Sequence, residues 1–472
     1  MVPSRHVWLI DQDFVKPCRR SGLVRGWARG RMPQESSIAA ALRTVGARFV
    51  HTEDAIMWNL EIDGKSLKPV VPAKAQQILR DQAIEEDGPG TILRDFAALL
   101  AFVGDAGLKT TGKYYFLPQG RLDELNERMS HPIVHRLKRP QQRSFPHLHG
   151  LYLLLRATGL GIGAGAPPNG RLILDEGMLA LWHDLNPTER YFNLLESWLV
   201  HATCDIIAER SWGTSGECFE SVSSVAQRLR KRRTEVSDAR HDGPLYGMTD
   251  FMTAALMELF GWLRLECAQP EPGEGFNPAA IERLALGDAM LNVLIAAQFA
   301  GEWERYYDDQ PAEPGVLQPV FQPYFPQWQR VLAQPETGFR EGTFTWRVSL
   351  GSAWRRIVAP AASSLDELAG SILDAFDFDC DHLYCFQLRD RRGRELRIAC
   401  PYEDDAAAFT DEVGLGDLPI SEGASMKFIF DYGDWWEFTV RLEEIGPTDP
   451  KLTGPKVTAK KGRAPEQYRW ED

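Results

Sequence analysis

The sequence predicts an α+β protein in two unequal parts: a mainly α-helical N-terminal region with winged-helix-like helix/hairpin units, then an α+β domain with an antiparallel sheet. Three observations predict it. Apolar residues recur at helical spacing through residues 1–310, six prolines fall in the 25 residues from Pro311 to Pro335, and beyond residue 340 the apolar period changes from 3.6 to 2. The 472 residues suffice for two to four domains at about 100–200 residues each. With 44% hydrophobic and 25% charged residues, disordered and fibrous architectures are excluded.

In the N-terminal region a unit of helix, turn with hairpin, and helix recurs faintly. The first copy runs from TILRDFAALLAFVGDAGL, with Ile92, Leu93, Phe96, Leu99, Leu100 and Val103 on one face, through a strand-like KTTGKYYFL to RLDELNERM. The second joins HGLYLLLRATGL to MLALWHDL across a Gly/Pro hairpin tip, GAGAPPNG, and RLILDE. The third joins FMTAALMELFGWLRLE to IERLALGDAMLNVLI. After the second unit, LNPTERYFNLLESWLVHATCDIIAE predicts a long amphipathic helix. Asn186 is its cap and Pro187 its first turn, and Tyr191, Leu194, Leu195, Trp198 and Leu199 form its buried face.

Residues 311–340 read as a Pro-rich extended connector, because proline removes a backbone donor and disfavours helix in the residue before it. Its Phe321, Tyr324, Phe325 and Trp328 predict that it lies against a domain surface. From 341 to 472 the elements are strand (Phe344, Trp346, Val348 and Leu350 alternating), strand (WRRIVAP), helix (SSLDELAGSILDAFDF), hairpin turning near Gly393, and hairpin turning at Gly433 and Asp434. The helix is bounded by Ser364 and Glu367 as a capping box, with Leu365, Leu368, Ile372, Leu373 and Phe376 inward.

No apolar run reaches the roughly 18 residues a membrane span needs, and the basic N-terminus lacks the apolar core of a signal peptide. Seven dispersed cysteines argue against a disulfide framework. A cytoplasmic location without membrane association is expected.

Several spaced motifs carry a family resemblance. VSLGSAWRRI, SLDELAGSILDAFDFDCDHLYCFQL, FIFDYGDWWEFTVRLEEI and KKGRAPEQY resemble the plasmid pRiA4b ORF-3-like family, also called the MM3350-like domain, over about residues 340–468. GPGTILRDF, RPQQRSFPHLHGLYLLLRATGL and LNPTERYFNLLESWL resemble the region that accompanies this domain in longer bacterial members. The resemblance implies a bacterial protein and, through a resolvase label that some members carry, a link to mobile elements. A serine resolvase needs a nucleophilic Ser in an arginine-rich site, and the sequence shows none. It also departs from the family at Phe438, where members commonly have His after W-E.

Four sets of residues have chemistry worth locating. Asp377, Asp379, Asp381 and His382 follow the C-terminal helix, and Asp431, Asp434 and Glu437 sit at the last hairpin turn; if the loops meet, they offer a divalent ion oxygen ligands and an imidazole. The competing reading is ordinary turn and helix-end chemistry. Cys380, His382, Cys385 and Cys400 offer zinc donors, but at spacings unlike those of zinc sites; buried thiols are the alternative. Arg228, Arg230, Lys231, Arg232 and Arg233 form one basic run and Arg136, Lys138, Arg139 and Arg143 another. Each suits phosphate, or else a solvated face. Finally, His147 and His149 alternate just before a helix, and His201, Cys204 and Asp205 share a helix face at i, i+3 and i+4, a spacing that binds metal only with a partner segment.

Charge divides the chain. Residues 1–340 hold 37 Lys and Arg against 41 Asp and Glu, and residues 341–472 hold 16 against 25, so the net charges are −4 and −9. Nucleic acid is therefore expected at the N-terminal region if anywhere, and a cation or basic protein partner at the C-terminal domain. The leading expectation is a non-catalytic binding or adaptor protein with no cofactor. The alternative is a metal-dependent hydrolase or nuclease at the acidic loops, with a divalent ion.

Overall fold

The structure, a computed structural model, describes residues 59–63, 66–110, 112–165, 169–209, 217–229, 232–236, 248–299, 313–333, 338–403 and 406–468. A hairpin of β1 (Asn59–Asp63) and β2 (Ser66–Val70) leads into α1 (Ala73–Asp81) and α2 (Ile92–Val103). There follow β3 (Leu108–Lys109), α3 (Leu122–Glu127), α4 (Pro146–Ala157), β4 (Gly161–Ala164), β5 (Arg171–Leu174) and α5 (Glu176–His183). Next come α6 (Pro187–Glu196), α7 (Glu217–Arg228), β6 (Arg233–Glu235), α8 (Met248–Leu259), β7 (Leu263–Cys267), β8 (Pro278–Arg283) and α9 (Ala285–Phe299). Among the described residues no helix is long and apolar enough to cross a membrane.

Two small antiparallel sheets organise this region, ordered β3-β5-β4 and β6-β8-β7. In each, a strand following one helix pairs with the second arm of a later hairpin. The first and second sequence recurrences are therefore one unit, since KTTGKYYFL contributes only Lys109 to the sheet, beside Leu108 of the segment before it. The rest of that segment turns away: Tyr115 has φ 55°, and its ring occupies the space that a Cβ on Gly163 or Gly170 would need. Those glycines of the hairpin make room for the tyrosine ring.

The helix α4 is buried at all twelve positions and packs against α8. A helix apolar around most of its circumference is a core element. Gly150 sets the approach, because a Cβ there would stand 2.6 Å from the Leu256 side chain on α8.

The long helix predicted over 185–209 is shorter than the pattern implied. Helix α6 has its expected Asn186 cap, which Glu189 extends into a capping box, Asn186 and Glu189 each accepting the other's backbone N–H at 2.9 Å. It gives way after Glu196 to a π turn, Ser197–His201. All five residues of that turn are buried, packed among α4, α6 and α7.

The connector is folded, not extended. It contains α10 (Gln318–Phe321), and Leu317, Phe321, Phe325 and Trp328 are all in the N-terminal core, with Trp328 stacked on Phe192 at 4.8 Å. Three buried side chains one turn apart on α6 satisfy its backbone. Glu189 accepts from Gln329 N and Arg330 N, Asn193 accepts from Leu332 N at 2.6 Å, and Glu196 accepts from Gly315 N and Leu317 N at 2.6 and 2.8 Å. A proline-rich segment has no ladder of its own, so a polar helix stripe can supply its partners.

The C-terminal domain is a seven-stranded antiparallel sheet ordered β12-β11-β13-β14-β9-β10-β15, crossed by one helix. Its elements are β9 (Thr343–Leu350), β10 (Ala353–Pro360), α11 (Leu365–Phe376), β11 (Tyr384–Arg389), β12 (Glu395–Ala399), β13 (Ser425–Phe430), β14 (Trp436–Gly446) and β15 (Lys456–Lys461). Phe344, Trp346 and Val348 alternate inward, meeting Ile372 and Phe376 of α11 in a second core. Ser364 Oγ accepts the Glu367 N–H at 3.1 Å and starts the helix. The edge strand β15, absent from the sequence reading, exposes Lys456, Lys460 and Lys461, charges that discourage edge pairing.

The first arginine of W-R-R-I explains that motif. Arg355 is 5% exposed and donates to Ala375 O at 2.7 Å near the end of α11, and to Lys461 O and Gly462 O at 3.3 Å. Its guanidinium lies 4.4 Å from the Phe376 ring. One cation thus ties the first hairpin, the helix end and the C-terminal strand together.

Candidate functional site

The acidic loops do meet. His382 Nε2 lies 3.5 Å from Asp431 Oδ2 and 3.8 Å from Asp381 Oδ1. Asp431, at φ 56°, accepts from Gly433 N at 2.9 Å and Asp434 N at 3.4 Å, so its carboxylate builds the turn. The closing motif completes the cluster: Gln467 Nε2 donates to Asp381 Oδ1 at 3.2 Å, and Tyr468 Oη donates to Asp381 Oδ2. The Tyr468 bond holds the Asp381 carboxyl below the usual aspartate range, with the His382 charge assisting; the same bond pushes the Tyr468 phenol up to about 12.

The remaining predicted ligands lie elsewhere or are engaged. Glu437 pairs with Lys427 at 2.9 Å, and Asp379 supplies its backbone to Gln467. Among the described residues no group of three or more His, Cys, Asp or Glu side chains stands where it could hold a metal ion. The zinc set is not assembled either. Cys400 is buried in the core and Cys380 is exposed, while Cys385 points to the opposite face of β11 from Tyr384. There it joins a network in which Arg397 bonds Tyr432 Oη at 2.9 Å and Glu403 at 2.6 Å. Phe438, the departure from the family's His, is fully buried and edge-on to Phe376 at 5.2 Å, so this position belongs to the core and not to the acidic turn.

Two residues of the sequence-predicted basic run, Arg232 and Arg233, are engaged in ion pairs. Arg232 pairs with Glu282 at 3.4 Å, and Arg233 with Glu235 and with Glu266 at 2.6 Å. Arg230 and Lys231 lie outside the described residues, and for Arg228 only the backbone is described. The second cluster differs. Arg136, Lys138, Arg139 and Arg143 are all exposed on the segment leading into α4, and none is in an ion pair among the described residues. The histidine candidates resolve into structure: His147 meets Glu258 at 3.0 Å, His149 meets Gln142 at 3.1 Å, and His201 meets Glu196 at 3.4 Å. Asp205 does not join His201 but crosses to the other domain, accepting from Glu395 N at 2.6 Å and Arg389 Nη1 at 3.3 Å.

That crossing marks what sequence reasoning missed. The turn between β11 and β12, Arg389-Asp390-Arg391-Arg392-Gly393-Arg394, reads as a charged hairpin tip, yet it is the seam between the two cores. Arg391 Nη2 reaches Asp175 at 2.9 Å, and Arg156 Nη2 donates to Arg391 O at 3.0 Å. Only the density of arginine in the turn signalled it.

A seven-stranded antiparallel sheet with one crossing helix, ringed by this acidic turn and this arginine seam, defines the class: an α+β domain docked on a helical platform. Residues 347–468 match the family model described as plasmid pRiA4b ORF-3-like protein, so the resemblance read from the motifs holds for the C-terminal domain. The uncharacterized protein y4hQ of Sinorhizobium fredii is 28% identical over 116 residues, covering 24% of this chain and 57% of that relative. The chain therefore spans little more than half the length of that curated relative. A solved structure, the protein of unknown function MM3350 from Methanosarcina mazei, shares 25% identity over 27% of this chain and 74% of its own, with a TM-score of 0.25.

Proposed function

We propose that the chain is a non-catalytic nucleic-acid-associated binding protein that grips the phosphate backbone through Arg136, Lys138, Arg139 and Arg143. The carrying observation is their geometry: four exposed cations without ion-pair partners among the described residues, on one segment entering α4. Unpaired surface cations can release counterions from nucleic acid at no cost in broken ion pairs. The strand orders β3-β5-β4 and β6-β8-β7, each with helices before the hairpin, support a winged-helix reading of these units. In such a unit the helix before the hairpin enters the groove. Here that helix is α4, buried throughout, and α8, against which it packs. Binding is then to backbone and insensitive to sequence.

Fluorescence anisotropy with duplex DNA and duplex RNA across a salt series tests this. The expected affinity at physiological salt is about 10⁻⁴ to 10⁻⁶ M, equal for unrelated sequences. Reversing all four charges to Glu should abolish binding, while Arg232→Glu with Arg233→Glu should change it little. Absence of binding at low salt, or binding indifferent to the four reversals, rejects the proposal.

A second reading, a metal-dependent hydrolase or nuclease, has in its favour the meeting of Asp381, His382 and Asp431. It requires Mg²⁺ or Mn²⁺ to raise the melting temperature and Asp431→Asn with Asp434→Asn to remove the rise.

A further inference from the structure

Four arginines lie on the β11–β12 turn, and three have carboxylate partners. Arg389 meets Asp205 at 3.3 Å and Glu395 at 2.8 Å, Arg391 meets Asp175 at 2.9 Å, and Arg394 meets Asp390 at 2.7 Å. The fourth, Arg392, is 7% exposed, and its guanidinium makes no hydrogen bond or ion pair among the described residues. Its Nε is sealed from solvent with no acceptor. A guanidinium offers five donors and stays charged, so burying one without an acceptor is among the costliest arrangements in a protein interior. Its surroundings add positive charge. Arg394 and the buried His201 of the π turn both lie near it, and the charges of Arg392 and Arg394 add to burial in holding His201 below the usual histidine range. Asp390 is the neighbouring carboxylate, and it is committed to the Arg394 side chain and backbone.

We propose that Arg392 is the centre of an anion site at the seam between the helical region and the α+β domain, taking a small oxyanion, a phosphate or carboxylate group, on its guanidinium. Such a group supplies the acceptors that the protein withholds, in the planar two-point geometry that arginine favours. Because the turn docks against Asp175, Asp205 and Arg156 of the N-terminal region, an anion bound there reinforces the contact between the two cores.

The test uses the full chain. Thermal melts are recorded in sodium phosphate and in sodium acetate, each against sodium chloride at matched ionic strength, for the wild type, Arg392→Met, Arg392→Gln and the four-fold loop reversal described above. In tens of millimolar phosphate or acetate the wild type should melt about 2 °C or more above its chloride control. Which anion gives the larger rise identifies the chemistry. Both Arg392 variants should lose the rise. In chloride alone they should melt at or above the wild type, since each removes an unpaired buried charge. The loop reversal should retain the rise. A wild type indifferent to both anions overturns the site, and so does a rise that persists in both Arg392 variants. A rise lost in the loop reversal but kept in the Arg392 variants places the anion on the loop, which also overturns the site while leaving the backbone-binding proposal standing.

Discussion

Glu189 of α6 and Arg330 of the connector, 141 residues apart, make a joint that fixes the proline-rich segment in the core. The carboxylate is 1% exposed and accepts the Arg330 backbone N–H at 2.9 Å and its guanidinium Nη2 at 2.9 Å, while still capping its own helix.

Replacing Glu189 by Ala strands the Arg330 and Asn186 N–H groups and opens the cap, for a loss of about 2–4 kcal/mol. Urea unfolding followed by tryptophan fluorescence measures it, and an unchanged midpoint would refute the joint. The sign with pH follows from the same contacts. Burial works against the charged carboxyl, but the Arg330 guanidinium and the N–H groups of Asn186 and Arg330 outweigh it and hold the group below the usual glutamate range. A depressed folded-state value gives stabilisation that is complete above about pH 4.3 and disappears as pH falls through the folded value. The wild type should therefore lose more stability than Glu189→Gln between pH 6 and pH 3.

Asp205 tests the seam. Asp205→Ala removes the acceptor of Glu395 N and Arg389 at the β11–β12 turn, at a cost of about 1–3 kcal/mol. Calorimetry should show the two cores melting further apart in the variant than in the wild type. Identical traces would mean that the turn does not couple them.

Arg355 tests the W-R-R-I motif. Arg355→Met keeps the apolar stem over Phe376 but leaves the carbonyls of Ala375, Lys461 and Gly462 without this donor. The loss should be about 2–4 kcal/mol, confined to the C-terminal domain. Arg356→Met, which breaks a half-exposed pair with Glu443, should cost less than about 1 kcal/mol. Equal losses would show that both arginines act through surface charge.

Much of the fold was legible because its signals are local. The capping residues Asn186 and Ser364, the alternation Phe344-Trp346-Val348 and the turns at Gly393 and Gly433 each depend on a few adjacent residues. The candidate site was legible only as composition. Asp381, His382 and Asp431 were picked out as residues that come together, but Gln467 and Tyr468, 86 and 87 residues from Asp381, are what occupy the Asp381 carboxylate. The two basic runs read alike in sequence, and only the structure shows Glu282 of β8 and Glu266 of β7 pairing with Arg232 and Arg233.

By itself the sequence determined most of the elements, the change from helical to alternating period, the family resemblance of the C-terminal domain and the concentration of negative charge there. Periodicity, caps and turn chemistry act through bonds and neighbours within about one turn, so they survive being read one segment at a time. Only the tertiary structure decided that α4 is hidden, that polar residues of α6 hold the connector, and that the arginine turn is a seam carrying one unsatisfied guanidinium. Those outcomes rest on contacts between residues as far apart as Arg156 and Arg391, 235 positions. A buried charge or donor must find its partner wherever packing places one, and no local pattern records that choice.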